Sequence, residues 1–450
     1  KVASALAEST PWPRRLVYCL PMRTLVEQTA GEAKEWLKKL GLSDTVGLHI
    51  LMGGENTEDW DLYPERDAIL IGTQDMLLSR ALNRGFGMAR ARWPMHFGLL
   101  NNDSLWVIDE MQLMGPGLAT SAQLQAFRST ETNTHTWWMS ATLQPSWLET
   151  PDTRDLLVGI PPPTITSAPT GISKALTLAP SADEKTIAAL ITAKPQSGVT
   201  LVVLNTVKRA RAVYEALVKN KTFVAAADIH IAHSRFRPVE RASWRAQFLS
   251  RNAGGEKPSV IIATQVVEAG VDISSDTLIT ELAPWTSLVQ RFGRAARYGG
   301  TAKVIVVDIN EEKKAAPYEF AELEAARAEL EQLTDVSIET LVAHEKSLSP
   351  ERRAALYPYS PDFLLLTREV DELFDTTPDL SGADLDISRY IRSGSDTDCQ
   401  IAWIAEKPTP DYTPSTLELC SAPIGEAMKF AETSATAARR RATWRSDDGA

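Results

Sequence analysis

The stretch of sequence that decides the fold is TQVVEAGVDISSDTLITELAPWTSLVQRFGRAAR, at residues 264–297. Near its end it carries two arginines, Arg294 and Arg297, three positions apart. Because such positions are neighbours on a helix, we predict a helix over 287–297 with both guanidinium groups on one face. Two fixed guanidinium groups suit a phosphate whose charge grows in a transition state, which predicts a catalytic pair. A solvated basic helix is the alternative.

The same stretch contains groups suited to the rest of a nucleotide. Gly270 has no side chain to hold the backbone away from a ligand, and the Asp272 carboxylate can accept a hydrogen bond from a ribose hydroxyl. The order of these elements over one short span favours a nucleotide site over a solvated helix. The predicted cofactor-binding residues are Gly270, Asp272, Gln290 and Arg291.

Length and composition are those of an ordinary globular protein. The chain has 450 residues, 44% hydrophobic and 23% charged, which is enough for roughly two to four domains. It contains no apolar run of about 18 residues, so no membrane span is expected. Its three cysteines form no CxxC spacing. We therefore expect reduced thiols and a cytoplasmic location.

The charge is acidic overall and basic in places. A net charge of −11 argues against a surface that coats nucleic acid as a whole, but binding depends on the local field. Each of four basic clusters is either a DNA contact or a solvated face. They are Arg80, Arg84, Arg90 and Arg92; Lys208, Arg209 and Arg211; Arg235, Arg237, Arg241 and Arg245; and Arg439, Arg440, Arg441 and Arg445.

Short apolar runs bounded by turn residues alternate with segments of helical period, which predicts an α/β fold with parallel sheets. In the first third the predicted strands are Arg15–Leu20, Ala68–Gly72, Leu105–Ile108 and Thr136–Met139. A second alternating set begins at Val199, and a short strand is predicted at Phe363–Thr367. The predicted regions are an α/β domain at 1–150, a linker at 151–197, a second α/β domain at 198–310, and a helical linker with a mixed, partly helical C-terminal accessory region at 311–450.

Two carboxylates, Asp109 and Glu110, follow the apolar run Leu105–Ile108. Ligands of open parallel sheets bind at the carboxyl ends of the strands. Asp109 could hold Mg²⁺ directly or through water, and Glu110 could polarise the water that attacks a γ-phosphate. Paired acids after a strand also occur as helix caps, which is the alternative. With the arginine stretch present, the sequence favours the catalytic interpretation.

Other segments that follow strands are candidates for contacts with nucleic acid. Helix N-termini present free N–H groups that bind phosphates, and the residues at such positions are Arg23, Thr24, Thr73 and Gln74. Helix capping is an alternative for Thr73. Arg235 and Phe236 could combine a phosphate contact with base stacking, whereas the adjacent His233 is more often structural. Ser140-Ala141-Thr142 also follows a strand and offers two small hydroxyls that can switch partners.

Three sequence motifs resemble those of one protein family. HSRF at 233–236, TQVVEAGVD at 264–272 and ELAPWTSLVQRFGRAAR at 281–297 resemble the superfamily 2 helicase part of the CRISPR-associated helicase-nuclease of type I interference systems. LNRGFGMARARWPMHFGLLNND at 82–103 and ELFDTTPDLSGADLDISRYIR at 372–392 resemble a subtype of that family. The resemblance extends from about Leu16 to Arg392 and implies two tandem RecA-like domains.

The resemblance also implies functions for particular positions. ATP and Mg²⁺ would bind with Asp109 as the metal ligand and Glu110 activating water. The residues implied to couple this site to DNA are Gln112, Ser140, Ala141 and Thr142, and those added to the nucleic-acid contacts are Asn205, Thr206 and Thr264. The implied partners are single-stranded DNA and an RNA-guided CRISPR surveillance complex, with movement along the displaced strand of invading DNA from 3′ to 5′.

Two departures from the family pattern matter. The sequence contains no G-x-x-x-x-G-K-[ST] motif, and we expect that loop to precede residue 1. None of the six histidines is followed by aspartate, so we expect the nuclease on a domain or subunit elsewhere. The alternatives are another superfamily 2 helicase or a restriction-type translocase, or, for this chain alone, a nucleic-acid-binding module without ATPase activity.

Overall fold

The computed structural model describes residues 12–53, 60–128, 132–140, 144–157, 171–180, 183–193, 198–249, 257–308, 311–375, 385–392, 398–402, 409, 412–415, 417–424 and 427. They fall into two compact units, one within 1–167 and 357–394 and the other within 168–356 and 395–450. None of the described helices combines the length and the apolar character that a membrane span needs.

The first unit is built on five parallel strands in the spatial order β2-β3-β1-β4-β5. Their bounds are β1 Arg15–Leu20, β2 Gly47–Leu51, β3 Ala68–Thr73, β4 Ser104–Ile108 and β5 His135–Trp138. Val17 of β1 lies level with Leu70 on one side and Trp106 on the other, and all three are buried. Because the strands run in one direction, their carboxyl ends share one edge of the sheet.

Helices follow these strands. Their bounds are α1 Arg23–Leu40, α2 Gln74–Ala81, α3 Trp93–Asn101, α4 Pro116–Phe127 and α5 Arg154–Leu157. α1 ends where Gly41 adopts a φ of 69° and donates its N–H to the carbonyls of Leu37 and Lys38. Glycine adopts this left-handed conformation without a steric penalty, which is why the helix stops there.

The second unit is built on six parallel strands in the order β6-β11-β10-β7-β9-β8. Their bounds are β6 Ser173–Pro180, β7 Val199–Val203, β8 Asp228–Ala232, β9 Ser259–Ala263, β10 Thr277–Glu281 and β11 Thr301–Asp308. β12 Asp398–Ala402 and β13 Leu419–Pro423 form a separate antiparallel pair.

The helices of the second unit and the returning segment complete the element order. Their bounds are α6 Glu184–Thr192, α7 Val207–Val218, α8 Lys221–Ala226, α9 Pro238–Gln247, α10 Trp285–Phe292, α11 Phe320–Leu330, α12 Ile338–Ser347, α13 Pro350–Leu356 and α14 Thr367–Leu373. Ile187 of α6 and Val213 of α7 pack with Val202, Ile262 and Ile279 of the sheet in one buried cluster.

The segment after residue 356 returns to the first unit, and hydrogen bonds hold it there. The Trp147 indole donates to the Tyr357 carbonyl at 3.1 Å. The Tyr359 hydroxyl accepts from the Ala119 N–H and donates to the Gly115 carbonyl, each at 3.1 Å. This segment is therefore part of the first unit's packing, although it is distant in sequence.

The predicted α/β fold with two tandem parallel-sheet domains is confirmed. The strand predicted at Phe363–Thr367 is wrong, because α14 begins at Thr367. The structure also divides the chain differently from the predicted bounds. β6 and α6 lie in the second unit although they fall within the predicted linker at 151–197, and part of the region predicted as accessory, 357–394, lies in the first unit.

Candidate functional site

The carboxyl edge of the first sheet brings Asp109 next to β1. The Tyr18 hydroxyl donates to Asp109 Oδ2 at 2.9 Å, and the Glu110 N–H donates to Asp109 Oδ1 at the same distance. Burial, followed by the charge of Asp109, raises the pKa of Tyr18, so its hydroxyl remains a donor. The Asp109 carboxylate is thereby fixed in orientation at the strand end.

Glu110 is linked to β5 by a chain of side chains. Gln112 Nε2 donates to Glu110 Oε2 at 2.6 Å, and Ser140 Oγ donates to Gln112 Oε1 at 2.6 Å. Glu110 has a φ of 52°, in the left-handed region that is costly for a non-glycine residue. The structure thus brings together two of the four predicted coupling residues, Gln112 and Ser140. The other two, Ala141 and Thr142, lie outside the described residues.

Asp109 suits a magnesium ion held by one carboxylate, water and phosphate, and not a metal ion enclosed by several protein ligands. Within the described ranges no three His, Cys, Asp or Glu side chains form a metal-binding group. Magnesium at a nucleotide takes one or two carboxylates and completes its shell with water and phosphate oxygens. Each Asp109 oxygen accepts one hydrogen bond in this structure, which leaves acceptor capacity on both. Asp109, with Glu110 beside it, is the carboxylate placed to serve such an ion.

The predicted nucleic-acid residues of the first unit lie at the same edge with different exposure. Arg23 is exposed and donates to the Gly53 carbonyl, and Thr24 is half-buried. Thr73 and Gln74 are buried. Thr73 occupies the N-cap of α2, but its side chain makes no capping hydrogen bond. Of these four predicted residues, Arg23 is therefore the most accessible to a ligand at this edge.

In the second unit, Arg291 is the centre of a buried polar network. Its side chain is fully buried, and each of its five N–H donors has an acceptor within the unit. The acceptors are Glu268 Oε1 at 2.8 Å, Thr280 Oγ1 at 2.9 Å, the Glu281 carbonyl at 3.1 Å, Asn205 Oδ1 at 3.1 Å and the Tyr318 hydroxyl at 3.3 Å. In this arrangement Arg291 has no donor left for a phosphate and instead fixes the surrounding loops.

Gln265 and Tyr318 extend this network. Gln265 Nε2 donates to the Asn205 carbonyl at 2.8 Å and to the Tyr318 hydroxyl at 3.1 Å. Asn205 in turn donates its Nδ2 to the Leu282 carbonyl at 2.8 Å. Four loops that are far apart in sequence are held together in this way. No motif signalled Tyr318, which precedes α11 and was missed by the sequence analysis.

The two arginines predicted as a catalytic pair do not share a helix face. α10 ends at Phe292, so the predicted helix over 287–297 is wrong in its last part. Beyond it Ala295 forms a parallel bridge with Ser275, whose N–H donates to the Arg294 carbonyl at 2.8 Å. Ala296 then has a φ of 43°. This tertiary bridge turns the chain out of the helix.

Their environments differ accordingly. Arg294 is buried and donates to the carbonyls of Glu268 and Val271, the latter at 2.6 Å. The Arg297 side chain is 40% exposed and donates its Nε to Asp272 Oδ1 at 3.0 Å. Arg297 and Asp272 are therefore the pair that a ligand can reach directly. Gly270, which lies between the two carbonyl acceptors, has a φ of 71° that requires glycine.

Lys174 of β6 is a further residue that the sequence analysis missed. Its Nζ donates to the Phe292 carbonyl at 2.7 Å, at the C-terminus of α10 where a cation is favoured. Burial lowers the pKa of Lys174 to about 8. Lys174 thus secures the helix that precedes the arginines.

The remaining predicted contacts occupy the strand ends. Thr206 caps α7 by accepting from the Arg209 N–H, and Thr264 is buried. His233 Nδ1 accepts from the Arg235 N–H at 3.2 Å, and burial together with Arg235 lowers the pKa of His233 to about 4. Its ring lies 4.5 Å from that of Phe236. This geometry favours the structural interpretation of His233.

Two parallel-sheet α/β units, with an Asp-Glu pair at a strand end of the first and a glutamine-arginine segment in the second, have the architecture of tandem RecA-like domains. A DEAD/DEAH box helicase family model matches residues 2–150. A model described as CRISPR-associated nuclease/helicase Cas3, C-terminal, matches residues 196–300. With the relatives below, these matches support a Cas3 helicase-type protein.

Among curated proteins, the CRISPR-associated helicase Cas3 of Thermoproteus tenax is 32% identical over 133 residues, which cover 29% of this chain and 22% of the relative. The structure of T. fusca Cas3 with ATP has a TM-score of 0.66 at 17% identity and covers 95% of this chain and 60% of that chain. A chain of a pre-nicking CRISPR RNA-guided surveillance complex has a TM-score of 0.54 at 18% identity, covering 78% and 47%. The chain thus spans less than two thirds of each of these relatives.

Proposed function

We propose that this chain is the ATP-driven translocase and helicase part of a type I CRISPR interference system, acting on the displaced single strand of invading DNA. The observation that carries the proposal is the hydrogen-bonded chain from Glu110 through Gln112 to Ser140. It connects Glu110, the residue expected to orient the attacking water, to Ser140 beyond the end of β5. A shift of one of these side chains would therefore displace the other.

In the first unit Asp109 would hold Mg²⁺, directly or through water. The ion would neutralise charge on the β- and γ-phosphates. Glu110 would accept a hydrogen bond from the attacking water and orient it toward phosphorus. Tyr18 donates to Asp109 and keeps that carboxylate in position. These side chains align and orient the reacting groups, which is most of what phosphoryl transfer asks of a protein.

In the second unit we propose a division of labour among the arginines. Arg297, exposed and paired with Asp272, would turn to the transferred phosphate, and Asp272 would then be released to the ribose. Arg294 would join it by exchanging its carbonyl acceptors for phosphate oxygens. Gln290 and the Gly270 backbone would line the nucleotide, while Arg291 would act as a positioning residue.

Single-stranded DNA would follow the strand ends of both units. The proposed contacts are Arg23, Thr24, Thr73, Gln74, Asn205, Thr206, Arg235 and Thr264. The likeness to a chain of a surveillance complex supports an RNA-guided complex as the partner, and the nuclease would reside on another domain or subunit.

The test is steady-state ATP hydrolysis by the full-length gene product, with and without single-stranded DNA. Glu110→Gln keeps the shape of the side chain but weakens its ability to orient water, so the DNA-stimulated rate should fall about 100-fold or more. Glu35→Gln on the exposed face of α1 is the matched control. A Glu110→Gln variant that retains about half of the wild-type rate would overturn the proposal.

A nucleic-acid-binding module without ATPase activity is the second candidate. The missing G-x-x-x-x-G-K-[ST] motif favours it for these 450 residues alone. Calorimetric titration of the 450-residue chain with Mg-ATP separates the two. Micromolar binding would contradict the second candidate, and DNA binding without nucleotide binding would support it for this chain.

A further inference from the structure

A cavity of about 490 Å³ in the first unit is lined by two segments that the proposed helicase chemistry does not use. One consists of residues 84–88 with Trp93, and the other of residues 385–387. These lie in the two stretches, 82–103 and 372–392, that set this chain apart from a generic helicase in its sequence. The fold therefore joins two sequence features with no assigned function into one site.

The cavity is built by specific hydrogen bonds. Arg84 donates to the Leu373 carbonyl at 2.7 Å and to the Glu372 carbonyl at 3.1 Å, and Asn83 Nδ2 donates to the Leu373 carbonyl at 2.8 Å. On the other segment, the Tyr390 carbonyl accepts from Thr120 Oγ1 of α4. Both walls are thus anchored to the body of the unit.

The loop also requires its glycines. A Cβ on Gly85 would lie 3.0 Å from Met88 Sδ, which is tighter than normal contacts, and Gly87 has a φ of 66°. Glycine at both positions lets the loop fold back so that Phe86 and Met88 line the cavity. The cavity therefore depends on the local sequence Gly85-Phe86-Gly87-Met88.

The walls combine apolar surface with a carboxylate at the rim, and a donor lies buried behind the surface. Phe86, Met88 and Ile387 supply apolar surface. The Trp93 Nε1 atom is buried and, within the described part of the chain, has no hydrogen-bond partner. Asp386 is exposed at the rim, where the Ser388 N–H donates to Oδ1 at 2.9 Å and lowers the pKa of the carboxyl. Its charged oxygens are available as acceptors.

We propose that this cavity binds one unstacked nucleobase of single-stranded DNA, with a preference for bases that carry an exocyclic amino group. A base has flat apolar faces, an amino donor for Asp386, and ring acceptors that the buried Trp93 N–H would reach once its ring turned toward the cavity. Guanidinium groups of Arg84 and Arg90 lie 5.2 and 5.3 Å from the Trp93 ring. Arg84 is buried, whereas the exposed Arg90 adds a cation for the adjoining backbone.

The position of the cavity supports this occupant, and the inference rests on the proposed action on single-stranded DNA. α2 begins at the strand edge proposed to track the DNA and leads toward the loop at 84–88. An eight-residue helix spans about 12 Å, which an extended strand bridges easily. A strand held at the edge can therefore place a base in the cavity.

The experiment uses the 450-residue chain and an oligo-dT strand that contains one 2-aminopurine, a fluorescent base with an amino group. Binding is followed by anisotropy of an end label and base burial by quenching of the 2-aminopurine. We expect quenching on binding. Because base-aromatic contacts are worth roughly 1–3 kcal/mol, Trp93→Leu should weaken binding of this strand about five- to 150-fold.

Two further variants keep the test independent of folding defects. Trp93→Phe removes the indole donor, and Asp386→Asn, at an exposed position, removes the negative charge of the acceptor. Each should reduce the preference for 2-aminopurine over plain oligo-dT about threefold or more. Trp36→Phe, with its side chain 62% exposed on α1, is the matched control and should change neither signal.

Outcomes separate this inference from the proposed function. Tight DNA binding without quenching, or unchanged selectivity in both Trp93→Phe and Asp386→Asn, overturns the base site and leaves the translocase proposal intact. Displacement of the strand's 2-aminopurine by free dAMP at equal concentration points to a mononucleotide site and also overturns it. Failure to bind any single-stranded DNA overturns both.

Discussion

The carboxyl edges of the two sheets hold their charged side chains in opposite ways. In the first unit Asp109 and Glu110 are half-buried, and a short chain of hydrogen bonds orients them while leaving acceptor capacity on Asp109. In the second unit Arg291 is buried with all five donors used, and of the three arginines in 291–297 the exposed one is Arg297. A carboxylate site can be presented by a single strand end, whereas the arginine site depends on a framework drawn from several loops.

The cost of burying charge explains this difference. A buried guanidinium loses its hydration, which only a counter-charge and a full set of hydrogen bonds can offset. Glu268 supplies the counter-charge to Arg291 at 2.8 Å, and neutral groups satisfy its other donors. The second edge is therefore predicted to be sensitive to loss of partners that never touch a ligand.

The largest expected effect is at the buried ion pair. Glu268→Ala leaves the Arg291 charge uncompensated and should lower the free energy of unfolding by about 3–5 kcal/mol. Asp272→Ala breaks the exposed pair with Arg297 and should cost less than about 1 kcal/mol. Urea denaturation of the chain measures both. Equal losses in the two variants would show that burial does not distinguish the two arginines.

An intermediate effect is expected at Tyr318. Tyr318→Phe removes the hydroxyl that accepts from Gln265 and Arg291, leaving two buried donors without that acceptor. A loss of about 1–3 kcal/mol in the free energy of unfolding should follow. Tyr63→Phe, an exposed tyrosine of the first unit, is the control. Matching stabilities in both variants would mean that the network tolerates the gap, contrary to our account.

The smallest effect is a pH dependence at Lys174. Its pKa is lowered by burial to about 8 in the folded chain, from 10.5, so above that pH the unfolded state binds more protons. The free energy of unfolding of the wild-type chain, relative to that of Lys174→Met, should therefore rise by about 1 kcal/mol between about pH 7.5 and about pH 9. Denaturation of both proteins across this range measures the difference. A constant difference would indicate that Lys174 keeps its proton throughout.

The sequence predicted the central strands that carry Asp109 and Glu110 better than the strands at the sheet edges. β1 and β4 each lie between two other strands, and such central strands are continuous apolar runs that can be recognised in the sequence. β2 is a five-residue strand at the sheet edge with partly exposed side chains, and its pattern was too weak to predict. β6 is also at an edge and lies in a region whose prolines suggested a linker.

The end of α10 had one local signal, Gly293, which directly follows Phe292. Local sequence contained no sign of the bridge from Ala295 to Ser275, which holds the following residues outside the helix. The participation of Tyr318 likewise depends on a tertiary contact across 27 residues. Such contacts leave no periodic pattern in the sequence, so the polar network around Arg291 could be recognised only in the structure.

The return of residues 357–394 to the first unit has a consequence for synthesis. The ribosome delivers the whole of residues 168–356 before it delivers the Tyr357 carbonyl that Trp147 binds and the Tyr359 hydroxyl that Ala119 and Gly115 use. Because domains generally fold as units during synthesis, the first unit cannot close until the whole second sheet has been delivered. The interior of α4, with its buried Leu118 and Ala122, must therefore wait for a late segment while all six strands of its neighbour's sheet have already been made.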